Sequence, residues 1–183
     1  MKYSLASTQE AFEKGKAADF LFFWGHQPHP SGKMTKSCFS QWWEHPFEVD
    51  DQVYRSAEHW MMAEKARLFN DDHALQAILE CQSPKDAKAW GRKVKGFDGA
   101  TWEAQRYRIV LEGNLAKFRS DSAMQAFLLG TGDKIIVEAS PYDKIWGIGL
   151  KASDAAANNP LEWRGLNLLG FALMEVRDRL ITG

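Results

Sequence analysis

In the run YRSAEHWMMAEKARLF, Tyr54 to Phe69, Met61, Met62 and Lys65 stand three, four and seven positions after Glu58. On a helix that spacing gathers all four on one face. A carboxylate and an ammonium therefore share an otherwise apolar surface, where each charge needs a partner. Two readings are open: a structural ion pair or solvent-facing edge, and a catalytic pair. A second carboxylate in the same cleft favours the latter, and Asp143 is the best candidate. In SPYDKIWGIG it follows a predicted buried strand, in a turn where Pro141, Gly147 and Gly149 allow unusual backbone geometry. Its structural alternative is to cap its own turn through a backbone hydrogen bond.

Other residues extend this set. Trp102 sits in the first turn of the longest predicted helix, where it either seals the helix end against the core or projects into a cleft. Trp146 reads as core. Arg92, Lys93 and Lys95 form a short basic cluster that is either solvated or a phosphate contact. Gly91 weakens its helix and brings the backbone close to a neighbour or ligand. None of His26, His29, His45, His59 and His73 has the company of a metal site, so no metal is expected. GTG at Gly130–Gly132 and GIG at Gly147–Gly149 are too short for phosphate-loop or dinucleotide signatures, and G-x-S-x-G is absent. The chemistry that remains is cofactor-free acid–base work.

These residues need a scaffold. DFLFFWG reads as a buried strand, HQPHPSGKMTKS as a loop, and CFSQWWEHPFEVDDQVY as two short extended segments with turns at Pro46 and Asp50-Asp51. A helix follows from a Ser56 cap to about Phe69. The next helix, in DDHALQAILECQ, has Ala74, Leu75, Ile78 and Leu79 as its buried stripe. Another starts at Ser83-Pro84. The longest opens at a Thr101 cap, and a short one runs from Asp121 to Gly130. DKIIVEAS is a buried strand, PYDKIWGIGL a turn into an extended piece, and LNLLGFALMEVRDRL a closing amphipathic helix. Without βαβ alternation, the expected class is α+β: a single helix-rich domain over residues 20–183 with a small β-sheet, preceded by an arm or short helix over 1–19.

The 183 residues, 45% of them hydrophobic, suit one domain with a sizeable core. A formal charge of −1 without long runs of one sign disfavours nonspecific polyanion or membrane-surface binding. The start lacks the apolar run of a signal peptide and no span of about 18 apolar residues follows, so the cytoplasm is the expected location. Cys38 and Cys81 are expected as free thiols. Nothing in the sequence fixes an oligomeric state.

SAEHWMMAEKA at Ser56–Ala66, WGIG at Trp146–Gly149 and NLLGFALMEVRDRL at Asn167–Leu180 resemble the NADAR family of YbiA-like proteins, in order, from about Phe20 to the C terminus. The resemblance implies a YbiA-like α+β fold and an enzyme that hydrolyses N-glycosidic bonds. It implies as substrate an early riboflavin-pathway intermediate, a small phosphorylated ribosyl-pyrimidine. The alternatives are an ADP-ribosyl substrate such as ADP-ribosylated guanine, the one case that brings in nucleic acid, and a noncatalytic ADP-ribose or nucleotide-binding module. It places the catalytic glutamate on Glu58, the motif lysine on Lys65, the functional tryptophan on Trp102 and the aspartate on Asp143. Gly91 and Arg92 fall on a glycine-arginine position suited to an anionic sugar phosphate, and Trp146 and Gln41 on the substrate side. Gln41 stands where relatives often carry asparagine, and Ile148 where some carry aspartate. The implied mechanism has Glu58 and Asp143 both approaching one ribose anomeric carbon, with Lys65 keeping Glu58 ionised.

Overall fold

Seven α-helices and four short strands make up the chain in a computed structural model that describes residues 1–183. Contacts gather in two compact units: Met1–Ser40 with Ala123–Gly183, and Gln41–Ser122. The class is helix-rich α+β, with the strands in two separate two-stranded sheets.

The first unit contains α1 (Leu5–Glu13), β1 (Phe20–Phe23), nearly all of α6 (Ser122–Leu129), β4 (Ile135–Glu138) and α7 (Leu168–Thr182). β1 and β4 pair in parallel, Phe20 opposite Ile135 and Phe23 opposite Glu138. Phe23, Phe39, Ile136, Val137, Leu169, Phe171 and Leu173 form the core, with Phe23 meeting Phe39 edge to face at 5.5 Å. The predicted strand ends one residue early: Trp24 lies outside it and is 57% exposed.

Asn167, in the left-handed region at φ 54°, caps α7 and fastens it to the sheet. Its Nδ2 donates to the Ile136 carbonyl at 3.0 Å and its Oδ1 accepts from the Glu138 N–H at 3.0 Å. The segment after Asp143, expected as extended, forms no strand. Carbonyls of Ile145, Trp146 and Gly147 instead accept from the N–H groups of Leu168, Leu169 and Asn167, satisfying donors that a helix start leaves over.

The second unit opens with a hairpin of β2 (Glu44–Val49) and β3 (Gln52–Ser56). Asp50 and Asp51 form its turn with φ of 49° and 60°, the double left-handed geometry of a tight hairpin. Pro46 lies inside β2 rather than at a turn, where the register shifts between Glu44 and Phe47. A strand tolerates proline at such an irregularity. Then come α2 (Ala57–Leu68), α3 (Asp72–Glu80), α4 (Pro84–Gly91) and α5 (Gly99–Arg119).

Helix α2 is the centre of this unit, packed by α3, α4 and α5. Ala57 through Ala63 are all buried, so it has no solvent face over its first two turns. Trp60 lies against Gly113 of α5, where an added Cβ would fall 2.1 Å from the indole Cδ1, and its Nε1 donates to the Ile109 carbonyl at 2.7 Å. Ser56 and Ser83 cap α2 and α4 as the sequence predicts. The cap of α5 is Asp98, not Thr101: its carboxylate accepts from the Thr101 N–H at 2.7 Å.

Candidate active site

Glu58 owes its position to the start of α2. Ser56 Oγ accepts from the His59 N–H at 3.4 Å and meets His59 Nδ1 at 2.8 Å. His59 Nε2 lies 3.3 Å from the Cys81 carbonyl. A carbonyl only accepts, so Nε2 carries the proton and neutral Nδ1 accepts from the serine hydroxyl. Burial pushes the His59 imidazole below its ordinary range. Within this fixed turn Glu58 is only 2% exposed. The helix N-terminus puts partial positive charge beside its carboxylate.

The Glu58 N–H donates to the Gln41 carbonyl at 2.9 Å, and the Gln41 side chain continues inward. Asn114 Nδ2 donates to Gln41 Oε1 and to the Val110 carbonyl, both at 2.8 Å. The Val110 carbonyl accepts only, which fixes Nδ2 on that side and makes Gln41 present its oxygen. Gln41 Nε2 and Asn114 Oδ1 are left buried without a partner in the protein. An unmet donor and an unmet acceptor in a core cost about 1–3 kcal/mol each, and such groups are satisfied by buried water or by polar ligand groups.

Lys65 lies seven residues, about 10 Å of helix rise, beyond Glu58. Its ammonium makes no ion pair with that carboxylate. It donates to the Gly91 carbonyl at 2.8 Å and lies 4.3 Å from the Phe97 ring centroid and 5.6 Å from that of Trp102. Desolvation pushes it below the ordinary lysine range. The remaining N–H donors of this half-buried cation are held between two aromatic faces. Gly91 is needed for close approach: a Cβ there would fall 1.9 Å from Met62 Sδ. Trp102 is half-buried one turn into α5, while Arg92 is exposed at the C-cap of α4.

Gln41, Glu58, Lys65, Gly91, Arg92 and Trp102 therefore all belong to the second unit. Asp143 and Trp146 belong to the first. Asp143 Oδ1 accepts from the N–H groups of Ile145 and Trp146, both at 2.8 Å, so it does cap its own turn, and Oδ2 lies outside these bonds. Trp146 is half-buried and Ile148 wholly buried, its N–H donating to the Glu138 carbonyl at 2.9 Å.

Sequence reasoning missed Asn114, Phe97 and Lys117. Asn114 and Lys117 are one turn apart on α5 and both 0% exposed, a buried amide and a buried ammonium on a face otherwise made of Val110, Leu111 and Phe118. Polar residues recurring on an apolar stripe were the available signal. A separate cavity of about 350 Å³ in the second unit, lined by Asp50, Tyr54, Glu64, Arg67 and Glu112, holds none of the candidate residues. Arg67 is bonded to Glu64 there at 2.5 Å.

Comparison with known proteins bears on this arrangement. The NADAR domain matches residues 22–181. An N-glycosidase of Acanthamoeba polyphaga mimivirus is 41% identical over 164 residues, covering 87% of this chain and 95% of the viral protein. An N-glycosidase of Nostoc punctiforme is 31% identical over 143 residues, 78% of this chain and 85% of that one. The solution structure of the Escherichia coli protein YbiA superposes with a TM-score of 0.71 at 26% identity, covering 91% of this chain and 88% of that one.

Proposed function

The chain belongs to the NADAR family, and we propose from that premise that it is an N-glycosidase acting on a small phosphoribosylamino-pyrimidine of the early riboflavin pathway. N-glycosidases among its relatives support the reaction class. The observation that carries the reading is a buried carboxylate, Glu58, fixed at a helix start with its backbone N–H bonded to the Gln41 carbonyl.

Hydrolysis breaks the bond between the ribose anomeric carbon and nitrogen. The bonding pair leaves with nitrogen, which takes up a proton, and water delivers its oxygen to the carbon while losing a proton. Positive charge grows on the sugar in the transition state. Glu58 stabilises that charge or takes the water's proton, and low water content around it strengthens either effect. The Gln41–Asn114 pair offers an N–H and an oxygen to sugar hydroxyls or to the attacking water. Lys65 presents its ammonium to ligand oxygens, and Trp102 covers a ring face. Arg92 contacts the phosphate through paired hydrogen bonds. The family pattern assigns Asp143 an orienting role toward the water, the ribose or the departing amine.

Chromatography of the purified protein with freshly prepared substrate tests the proposal. Free sugar phosphate and aminopyrimidine are expected, and Glu58→Gln is expected to melt near wild type while losing about 10²–10⁴-fold in turnover. A fully active Glu58→Gln rejects the catalytic assignment. Release of ADP-ribose from modified guanine, with the pyrimidine untouched, rejects the substrate.

A further inference from the structure

β1 and β4 run parallel and end together, Phe23 opposite Glu138, so the chain leaves both strands on the same edge. In the open sheets of α/β folds, ligands gather where the loops leave the carboxyl ends of parallel strands, and this two-stranded pair presents the corresponding edge. The first residue after β1 is Trp24, 57% exposed, and four residues after β4 comes Tyr142, 84% exposed. Their ring centroids are 6.1 Å apart and their planes 53° apart. Two large aromatic side chains thus meet at the surface without being covered.

Local structure holds them there. Ser140, itself 4% exposed, accepts through Oγ from the N–H groups of Tyr142 and Asp143 at 3.4 and 3.2 Å. Asp143 Oδ1 pins the next turn through Ile145 and Trp146. Gly147 lets this loop close on the sheet, since a Cβ would fall 2.8 Å from the Glu138 carbonyl. The backbone beneath Tyr142 is fixed while its ring stands in solvent. Cations flank the same loop: at Gly149 an added Cβ would lie 3.1 Å from Arg164 Cβ and 3.3 Å from Lys144 Cγ, and both side chains are exposed.

We infer that Trp24 and Tyr142 form a stacking platform for the planar heteroaromatic ring of a phosphorylated substrate, with Lys144 and Arg164 attracting its anionic part. An aromatic face binds any base face and tolerates differences among bases. The rings carry an indole N–H and a phenol O–H at their edges, suited to a ligand that is flat, polar at its rim and partly wet. The placement one residue from Asp143 rests on the proposed role of that aspartate. The shared chemistry is a base on a ribose phosphate; the ring is either a pyrimidine or the adenine of an ADP-ribosyl group.

Calorimetric titration of the full chain with UMP, AMP, ADP-ribose and ribose 5-phosphate tests the platform. Trp24→Ala and Tyr142→Ala are each expected to weaken ring-bearing ligands by about tenfold, leaving ribose 5-phosphate unchanged. Trp24→Phe and Tyr142→Phe are expected to retain most of the affinity. Tighter UMP than AMP assigns the platform to a pyrimidine, and the reverse order to adenine. Equal weakening of ribose 5-phosphate, no weakening of any ring-bearing ligand, or no ring-dependent binding by the wild type overturns the inference. These outcomes are separable from failure of the glycosidase reading: ring-dependent binding without hydrolysis sinks that reading alone, and hydrolysis with unchanged KM in both alanine variants sinks the platform alone. Both side chains are exposed, so the melting temperature is expected to stay near wild type.

Discussion

Lys65 keeps a charge where water is scarce, held by one carbonyl and two ring faces. Its titration lies below the ordinary 10.5 because burial disfavours the cation. If its ammonium touches substrate oxygens, turnover falls as the group loses its proton, so the alkaline limb of the pH–rate profile is expected below 10.5. Lys65→Arg, which stays charged, is expected to lose that limb even if its rate is lower; an identical limb in this variant assigns it elsewhere. Asp143 separates structure from chemistry in a different way. Asp143→Asn keeps an oxygen for the Ile145 and Trp146 N–H groups, whereas Asp143→Ala leaves both without it, an expected loss of about 1–3 kcal/mol. A denaturant titration that finds Asn near wild type and Ala destabilised, beside an assay in which both lose turnover, is expected for a carboxylate that orients substrate or water as well as its own loop. Full activity in Asp143→Asn leaves only the turn.

Elements carry these residues, and the contact between α2 and α4 has the least slack. Gly91→Ala drives a methyl into Met62 Sδ, and the overpacking is expected to destabilise the fold by about 1–3 kcal/mol and to disturb the Gly91 carbonyl that anchors Lys65. Met62→Ala in the same chain is expected to recover much of the stability lost to the added methyl. Additive losses in the double-mutant cycle would show that the two sites do not touch. Elements with their own local signals were legible in the sequence. Ser56 and Ser83-Pro84 begin helices because their side chains and ring geometry satisfy a helix start without distant help. The start of α5 was misplaced because Gly99 and Ala100 follow its cap, and a glycine at the first position hides a start that Asp98 stabilises. The segment at Trp146–Gly149 has strand-like composition, yet its carbonyls are taken by the start of α7. That partner lies about twenty residues downstream and leaves no local mark.

At the scale of the whole chain, the paired strands β1 and β4 are more than a hundred residues apart in sequence, and one unit is assembled from both ends of the polypeptide. Hydrophobic pattern identifies each strand but carries nothing about its partner, so one sheet was expected where there are two. Candidate residues on α2 were legible because a charged pair on an apolar helix is locally anomalous. Asn114 was not read, because its recurrence with Lys117 on the apolar stripe of a long helix passes for a solvated edge until its bond to Gln41 is seen. The same turn of α2 gives the folded chain one acid-sensitive group. His59, 1% exposed, has both ring nitrogens engaged in its neutral form and titrates below the ordinary 6.5. In the unfolded chain it takes up a proton near 6.5, but in the folded chain only at lower pH. Between those values the unfolded state binds more protons, so stability falls as pH drops through that window, by at most about 1.4 kcal/mol per pH unit for one site. His59→Gln, which cannot titrate, is expected to start less stable at pH 7 and to show a flatter decline from 6.5 downward. Equilibrium urea unfolding at a series of pH values checks this. Parallel curves for the two proteins would move the acid sensitivity to other groups and remove His59 as the residue that ties the position of Glu58 to pH.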